Sequence, residues 1–87
     1  MKKLWTDEAW EEYLYWQMQD KKILKKINRL LLDIDRNGYQ CTGKPEPLSG
    51  TLSGYWSVRI DGKNRIVFKI DENHIEIIQC GTHYRDK

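Results

Sequence analysis

Tyr55-Trp56-Ser57-Val58-Arg59-Ile60-Asp61-Gly62-Lys63-Asn64-Arg65-Ile66-Val67-Phe68-Lys69-Ile70 reads as two strands around a turn. Asp61-Gly62 is a hairpin signal, and apolar and polar residues alternate on both sides of it. Side chains alternate across a strand. Trp56, Val58 and Ile60 therefore share one face, and Tyr55, Ser57 and Arg59 the other. Likewise Ile66, Phe68 and Ile70 oppose Arg65, Val67 and Lys69. Both apolar triplets must point at one core. A loop of Asp61-Gly62-Lys63 achieves this by pairing Val58 with Ile66, Trp56 with Phe68, and Arg59 with Arg65.

Upstream, Lys2 to Trp5 can start an edge strand. Thr6 is an N-cap candidate, followed by Asp7 and Glu8 at the positive end of a helix dipole. Ala9, Trp10, Tyr13, Leu14 and Gln17 recur at helical spacing. Asp20 can cap a second helix, in which Ile23, Leu24, Ile27, Leu30, Leu31 and Ile34 form the apolar stripe and Asn37-Gly38 the end. In residues 39–54, Gly43, Pro45, Pro47, Gly50 and Gly54 break any regular element, so a long loop is expected. A third strand covers His74–Cys80, and Gly81-Thr82-His83-Tyr84 leads toward the end of the chain. The expected fold is α+β: two N-terminal antiparallel helices on one face of a mainly antiparallel four-stranded sheet, in one domain spanning 1–87.

The 87 residues are 39% hydrophobic and 32% charged, which fits a folded chain better than a disordered one. Four Trp, five Tyr and one Phe supply large buried areas to a small core. No apolar run approaches the ~20 residues of a membrane span. Met1-Lys2-Lys3-Leu4-Trp5 has no apolar signal region, so a cytoplasmic protein with reduced Cys41 and Cys80 is expected. Neither cysteine has metal-ligand spacing, and no cofactor motif is present. The net charge of +2 is uneven: residues 44–70 carry five basic and two acidic side chains, whereas residues 71–87 carry two and four. A locally basic surface attracts polyanions, although ordinary solvated charge gives the same pattern.

Arg59 opposite Arg65 places like charges together, which is destabilising in a sheet. An anion between the guanidiniums would offset the repulsion; so would solvent, or pairing with Glu76, Asp61 or Glu46. Few other residues suit acid–base work. His83 follows the third strand, with Tyr84 beside it, and Glu46 is bracketed by Pro45 and Pro47, which restrict its backbone. His74 is assigned no role. A base, an acid, two arginines and an aromatic are what cleavage of RNA by its own 2′-hydroxyl needs, and that route requires no metal.

The chain resembles the YoeB toxins of the RelE/ParE superfamily, ribosome-dependent mRNA interferases paired with YefM-type antitoxins. The resemblance spans essentially the whole chain. It is densest in Trp10…Tyr13-Leu14-Tyr15-Trp16-Gln17, Gly43-Lys44-Pro45-Glu46-Pro47-Leu48, Leu52-Ser53-Gly54-Tyr55-Trp56-Ser57, Arg59-Ile60, Arg65-Ile66-Val67 and His83-Tyr84. It implies a RelE-like fold and cleavage of mRNA in the ribosomal A site, giving a 2′,3′-cyclic phosphate and a 5′-hydroxyl. By match to the family pattern, Glu46 is the general base and His83 the general acid. Arg65 steadies the phosphate, Arg59 binds the backbone, and Tyr84 orients or stacks on the nucleotide. Lys44 and the lysine-rich second helix contact ribosomal RNA.

The chain departs from the pattern at Ser49 and Val58, where some relatives carry basic residues, and in Arg85-Asp86-Lys87 after the terminal Tyr. Two other functions fit the same scaffold: a non-catalytic ParE-like gyrase inhibitor, which does not need the Glu46 and His83 pair, and a plain RNA-binding module. Exposed Trp and Tyr side chains would serve a homodimer interface; alternatively Trp10, Trp16 and Trp56 belong to the core.

Overall fold

Capping residues set the helices. In this computed structural model, which describes residues 1–81, Thr6 Oγ1 accepts from the Ala9 N–H at 3.1 Å and opens α1 (Asp7–Gln19). Asp20 serves both helices. Its N–H donates to the Trp16 carbonyl, and its Oδ1 accepts from the amides of Lys22 and Ile23 at 3.0 and 3.2 Å to open α2 (Lys21–Asn37). Gly38, at φ 61°, closes α2.

Around the helices run β1 (Lys2–Trp5), β2 (Glu46–Pro47), β3 (Trp56–Arg59), β4 (Arg65–Asp71) and β5 (His74–Gly81). The sheet order is β1-β5-β4-β3-β2. β1 runs parallel to β5, and the other neighbours are antiparallel. The sheet thus has five strands where the sequence suggested four. The addition is β2, inside the segment read as a loop. Two residues, one of them Pro47 itself, show no periodicity, yet a sheet edge tolerates a residue without an N–H.

The hairpin follows its predicted register: Val58 opposes Ile66, Trp56 opposes Phe68, and Arg59 opposes Arg65. Asp61 Oδ1 accepts from the amides of Lys63 and Asn64 at 2.8 and 2.7 Å, which fixes the turn. Ile27, Leu30, Leu31 and Ile34 of α2 pack with Val58, Ile66, Phe68, Ile75 and Ile77 of the sheet and with Ile60 just after β3. Only Ala9 of α1 is fully buried. Trp16 and Trp56 pack partly buried against this core, whereas Trp10 stays 44% exposed, stacked on Tyr13.

Cys41 and Cys80 are buried free thiols. Burial, then the Glu12 carboxylate, pushes the Cys80 thiol up to about 12, so it stays protonated and unreactive at neutral pH. No helix among the described residues is long and apolar enough to cross a membrane.

Asp33 ties the start of the 39–54 segment to α2. Its Oδ2 accepts from the Thr42 N–H and hydroxyl at 2.6 and 2.7 Å, and its Oδ1 from the Asn37 amide at 2.6 Å. The Thr42 backbone bond, then the two side-chain bonds, hold the Asp33 carboxyl below its ordinary 3.8. Asp35 is lowered by its bond to the Met1 ammonium, and Asp61 mainly by the Asn64 amide. A depressed carboxylate leaves the unfolded chain binding more protons in acid. The stability from these three groups is therefore complete above the ordinary value of 3.8 and is lost as pH falls through their lower folded values. Thermal unfolding scanned downward from neutral pH should show the midpoint falling in that window. Asp33→Asn should be less stable at neutral pH and show a shallower acid slope.

Candidate functional site

The face of the sheet turned away from the helices holds the polar residues. Directly opposed residues project to the same face. Arg59 and Arg65 form one row across β3 and β4, with Gly81 of β5 next in register. Glu46, Ser57, Val67 and Gln79 form the adjacent row across β2, β3, β4 and β5. The rows are two residues apart along each strand, about 7 Å. The sheet thus brings Glu46, Arg59 and Arg65 together on one surface.

Arg59 is exposed, and neither arginine forms an ion pair among the described residues. Arg65 Nη1 donates to the carbonyls of Asp61 and Asn64 at 3.0 and 3.3 Å. The hairpin backbone thereby aims the guanidinium, and its other donors take no partner among the described residues, which suits them to an anion. The Glu46 side chain is exposed and takes no hydrogen bond or ion pair among the described residues.

Lys44, also exposed, lies two residues before Glu46 with φ 55°. The segment carrying both is held along the edge of β3. The Arg59 N–H donates to the Gly43 carbonyl at 2.8 Å, and the Leu48 N–H to the Tyr55 carbonyl at 2.9 Å. Gly43 sits at φ +92°, and a Cβ there would lie 3.1 Å from both Leu30 and Val58. Gly50, at φ +67°, has open space around it. Gly43→Ala should therefore lose about 1–3 kcal/mol more stability than Gly50→Ala in urea unfolding, through overpacking alone.

His83 and Tyr84 lie outside the described residues, as does Arg85-Asp86-Lys87. Ser49 and Val58 are described: Ser49 is exposed after β2, and Val58 is fully buried in the core.

A third row was not anticipated. The Tyr55 hydroxyl donates to Glu76 Oε2 at 2.9 Å, and Lys69 Nζ sits 3.9 Å from Glu76 Oε1 and 5.0 Å from the Tyr55 ring centre. Burial, then the Glu76 bond, raises the Tyr55 phenol, so it remains a donor. Glu76 thus serves Lys69 and Tyr55, and among the described residues the arginines have no acidic partner. Strand parity already put Tyr55 and Lys69 on this face; the register of β5 supplied Glu76.

A cleft of about 620 Å³ opens between α1 and the hairpin, beside the arginine row, with Asp61, Asn64 and Gly81 in its wall. Among the described residues, Glu11, Glu12, Asp20 and Asp61 line it against Lys63, so it repels phosphate. The arginine row is the anion-attracting surface.

Residues 5–84 match the family described as YoeB-like toxin of bacterial type II toxin-antitoxin system. Toxin YoeB of Escherichia coli K12 is 46% identical over 97% of this chain and 100% of its own. The YoeB–YefM complex from Staphylococcus aureus superimposes with TM-score 0.90 at 46% identity, covering 97% of this chain and 98% of that one. The Staphylococcus aureus YoeB dimer superimposes with TM-score 0.88 at 47% identity, with the same coverage. A family match and a relative of that identity, both nearly full-length, leave one assignment: the chain belongs to the YoeB-like toxins of bacterial type II toxin–antitoxin systems.

Proposed function

We propose that this toxin is an endoribonuclease that cuts mRNA in the ribosomal A site and so halts translation in the cytoplasm. One observation carries the reading: Arg59 directly opposes Arg65, with no acidic partner among the described residues, on the face that also bears Glu46. Two adjacent unneutralised guanidiniums form a site for a phosphate that gains charge.

Glu46 takes the proton of the 2′-hydroxyl. The 2′-oxygen then bonds to the neighbouring phosphorus, and the bond from phosphorus to the 5′-oxygen breaks. His83 protonates the leaving 5′-oxygen. The products are a 2′,3′-cyclic phosphate and a 5′-hydroxyl, and atoms balance with no added reagent. Arg65 and Arg59 stabilise the crowded phosphorane. Tyr84 orients the substrate nucleotide, and Lys44 contacts the RNA backbone. An 87-residue domain builds a shallow site, so the ribosome supplies most of the positioning and free RNA is cut poorly.

A YefM-type antitoxin is the partner that neutralises it, by likeness to the Staphylococcus aureus complex. Self-association follows from likeness to the dimer of that relative and from the exposed Trp10, Leu14, Tyr15 and Met18 along α1.

Primer extension on mRNA in 70S initiation complexes tests the reading, with the parent and His83→Ala side by side. Cleavage in the A-site codon by the parent, and none by the variant, is expected. A folded parent that leaves the mRNA intact but blocks supercoiling by gyrase would replace this reading with the ParE-like one. Salt-sensitive RNA binding without any product would replace it with the binding module.

A further inference from the structure

We propose that Asn64 is a positioning residue that keeps the Asp61 carboxylate off Arg65, so that the guanidinium stays open to a phosphate; this rests on the role given to Arg65 above. Arg65 Nη1 donates to the Asp61 carbonyl at 3.0 Å. That carbonyl and the Asp61 carboxyl belong to one residue, so a freely rotating carboxylate would reach the same guanidinium. The Asn64 backbone bond, above all, holds the Asp61 carboxyl below its ordinary 3.8, so the group is an anion at neutral pH. Arginine binds a carboxylate more strongly than a neutral carbonyl. Left to itself, Asp61 would be the counter-ion of Arg65, and an incoming phosphate would have to displace it.

Asn64 prevents this. Its Nδ2 donates to both carboxylate oxygens, at 3.1 Å to Oδ1 and 3.0 Å to Oδ2. Oδ1 also accepts from the amides of Lys63 and Asn64 at 2.8 and 2.7 Å. Oδ2 has no other donor among the described residues. The turn backbone therefore fixes one oxygen, and the Asn64 side chain alone holds the other. Arg65 is left with two neutral oxygens, the carbonyls of Asp61 and Asn64 at 3.0 and 3.3 Å. They aim the guanidinium without cancelling its charge.

The burial of Asn64 points the same way. It directly precedes β4, has the parity of Ile66 and Phe68, and is 6% exposed. Its own Oδ1 is buried with no hydrogen-bond partner among the described residues. A buried amide oxygen without a donor lowers stability, and an apolar residue there would avoid the penalty. The turn does not require the amide, because the two backbone bonds to Asp61 Oδ1 already close it. What the amide adds is its hold on Oδ2.

The test uses the full chain in 70S initiation complexes. We would measure kcat, KM and the unfolding midpoint for Asn64→Ala, Asn64→Leu, Asp61→Asn, the double variant Asp61→Asn/Asn64→Leu, and Arg65→Ala. Asn64→Leu keeps the buried volume; Asp61→Asn keeps an acceptor for the turn amides but carries no charge. Per folded molecule, Asn64→Ala and Asn64→Leu should each lower kcat by about 10–100-fold, less than removal of Arg65 itself. Adding Asp61→Asn to Asn64→Leu should restore most of the rate, because no carboxylate is left to pair with Arg65. A role confined to holding the turn predicts the reverse, since the double variant weakens the turn twice. Parental kcat in both Asn64 variants, or a double variant no faster than Asn64→Leu, overturns the proposal and leaves the reading of the site intact. If Arg65→Ala cuts at the parental rate, the site reading itself fails, and with it the reason to keep Arg65 unpaired.

Discussion

Glu46→Gln should lower ribosome-dependent cleavage by about 10²–10⁴-fold, the usual contribution of a positioned general base. Folding should stay within about 0.5 kcal/mol of the parent, because the side chain is exposed and makes no hydrogen bond or ion pair among the described residues. Its backbone is secured instead, through the pairing of Glu46 with Ser57. Arg65→Ala should cost about 10²–10³-fold, as loss of a donor to a developing oxyanion does. The double variant should fall well short of the product of the two losses, since groups acting on one transition state are not additive. Single-turnover cleavage on programmed ribosomes reads all three. Parental rates in Glu46→Gln would remove it as the base, and full multiplicativity would mean that Glu46 and Arg65 do not act on the same phosphate.

That coupling was partly visible in the sequence. Two strands around a three-residue loop have only one register that buries both apolar triplets, so Arg59 opposite Arg65 followed from parity and was found. The position of Glu46 on the same face had no such route. It depends on β2, a two-residue edge strand made of Glu46 and Pro47, whose pairing is set by the neighbouring edge of β3. β5 was harder still. A bulge between Val67 and Phe68 changes the parity of β5, so that Ile77 and Cys80 both face the core. The extra residue shows in the sequence only as a slip of the alternation at Ile77-Ile78, between Ile75-Glu76-Ile77 and Ile78-Gln79-Cys80, which a single strand of constant parity passes over. Glu76 consequently looked like a candidate partner for the arginines, whereas its register opposite Lys69 directs it to Lys69 and Tyr55. The helices were legible because capping is local: Thr6, Asp20 and Gly38 act within one turn of themselves.

The same two-faced sheet predicts where the chain is most easily unfolded. Phe68 is fully buried and opposes Trp56 on one side and Ile77 on the other, with the Tyr39 ring 5.8 Å away. Phe68→Ala should cost about 3–5 kcal/mol by combining lost transfer free energy with an unfilled cavity. Small domains have about 5–15 kcal/mol in total, so the variant would lose a large part of its stability. Phe68→Leu keeps most of the volume and should cost less than about 1.5 kcal/mol. Urea titrations would show the midpoint falling at unchanged slope for both. A loss below about 1 kcal/mol for Phe68→Ala would mean that α2 collapses onto the gap and that the helix–sheet contact is softer than its burial indicates. The expected large loss has a consequence for the opposite face. Glu46, Arg59 and Arg65 sit on strands whose alignment is fixed from behind by Phe68, Val58 and Ile66. Phe68→Leu should therefore retain cleavage at temperatures where Phe68→Ala, still partly folded, has lost it.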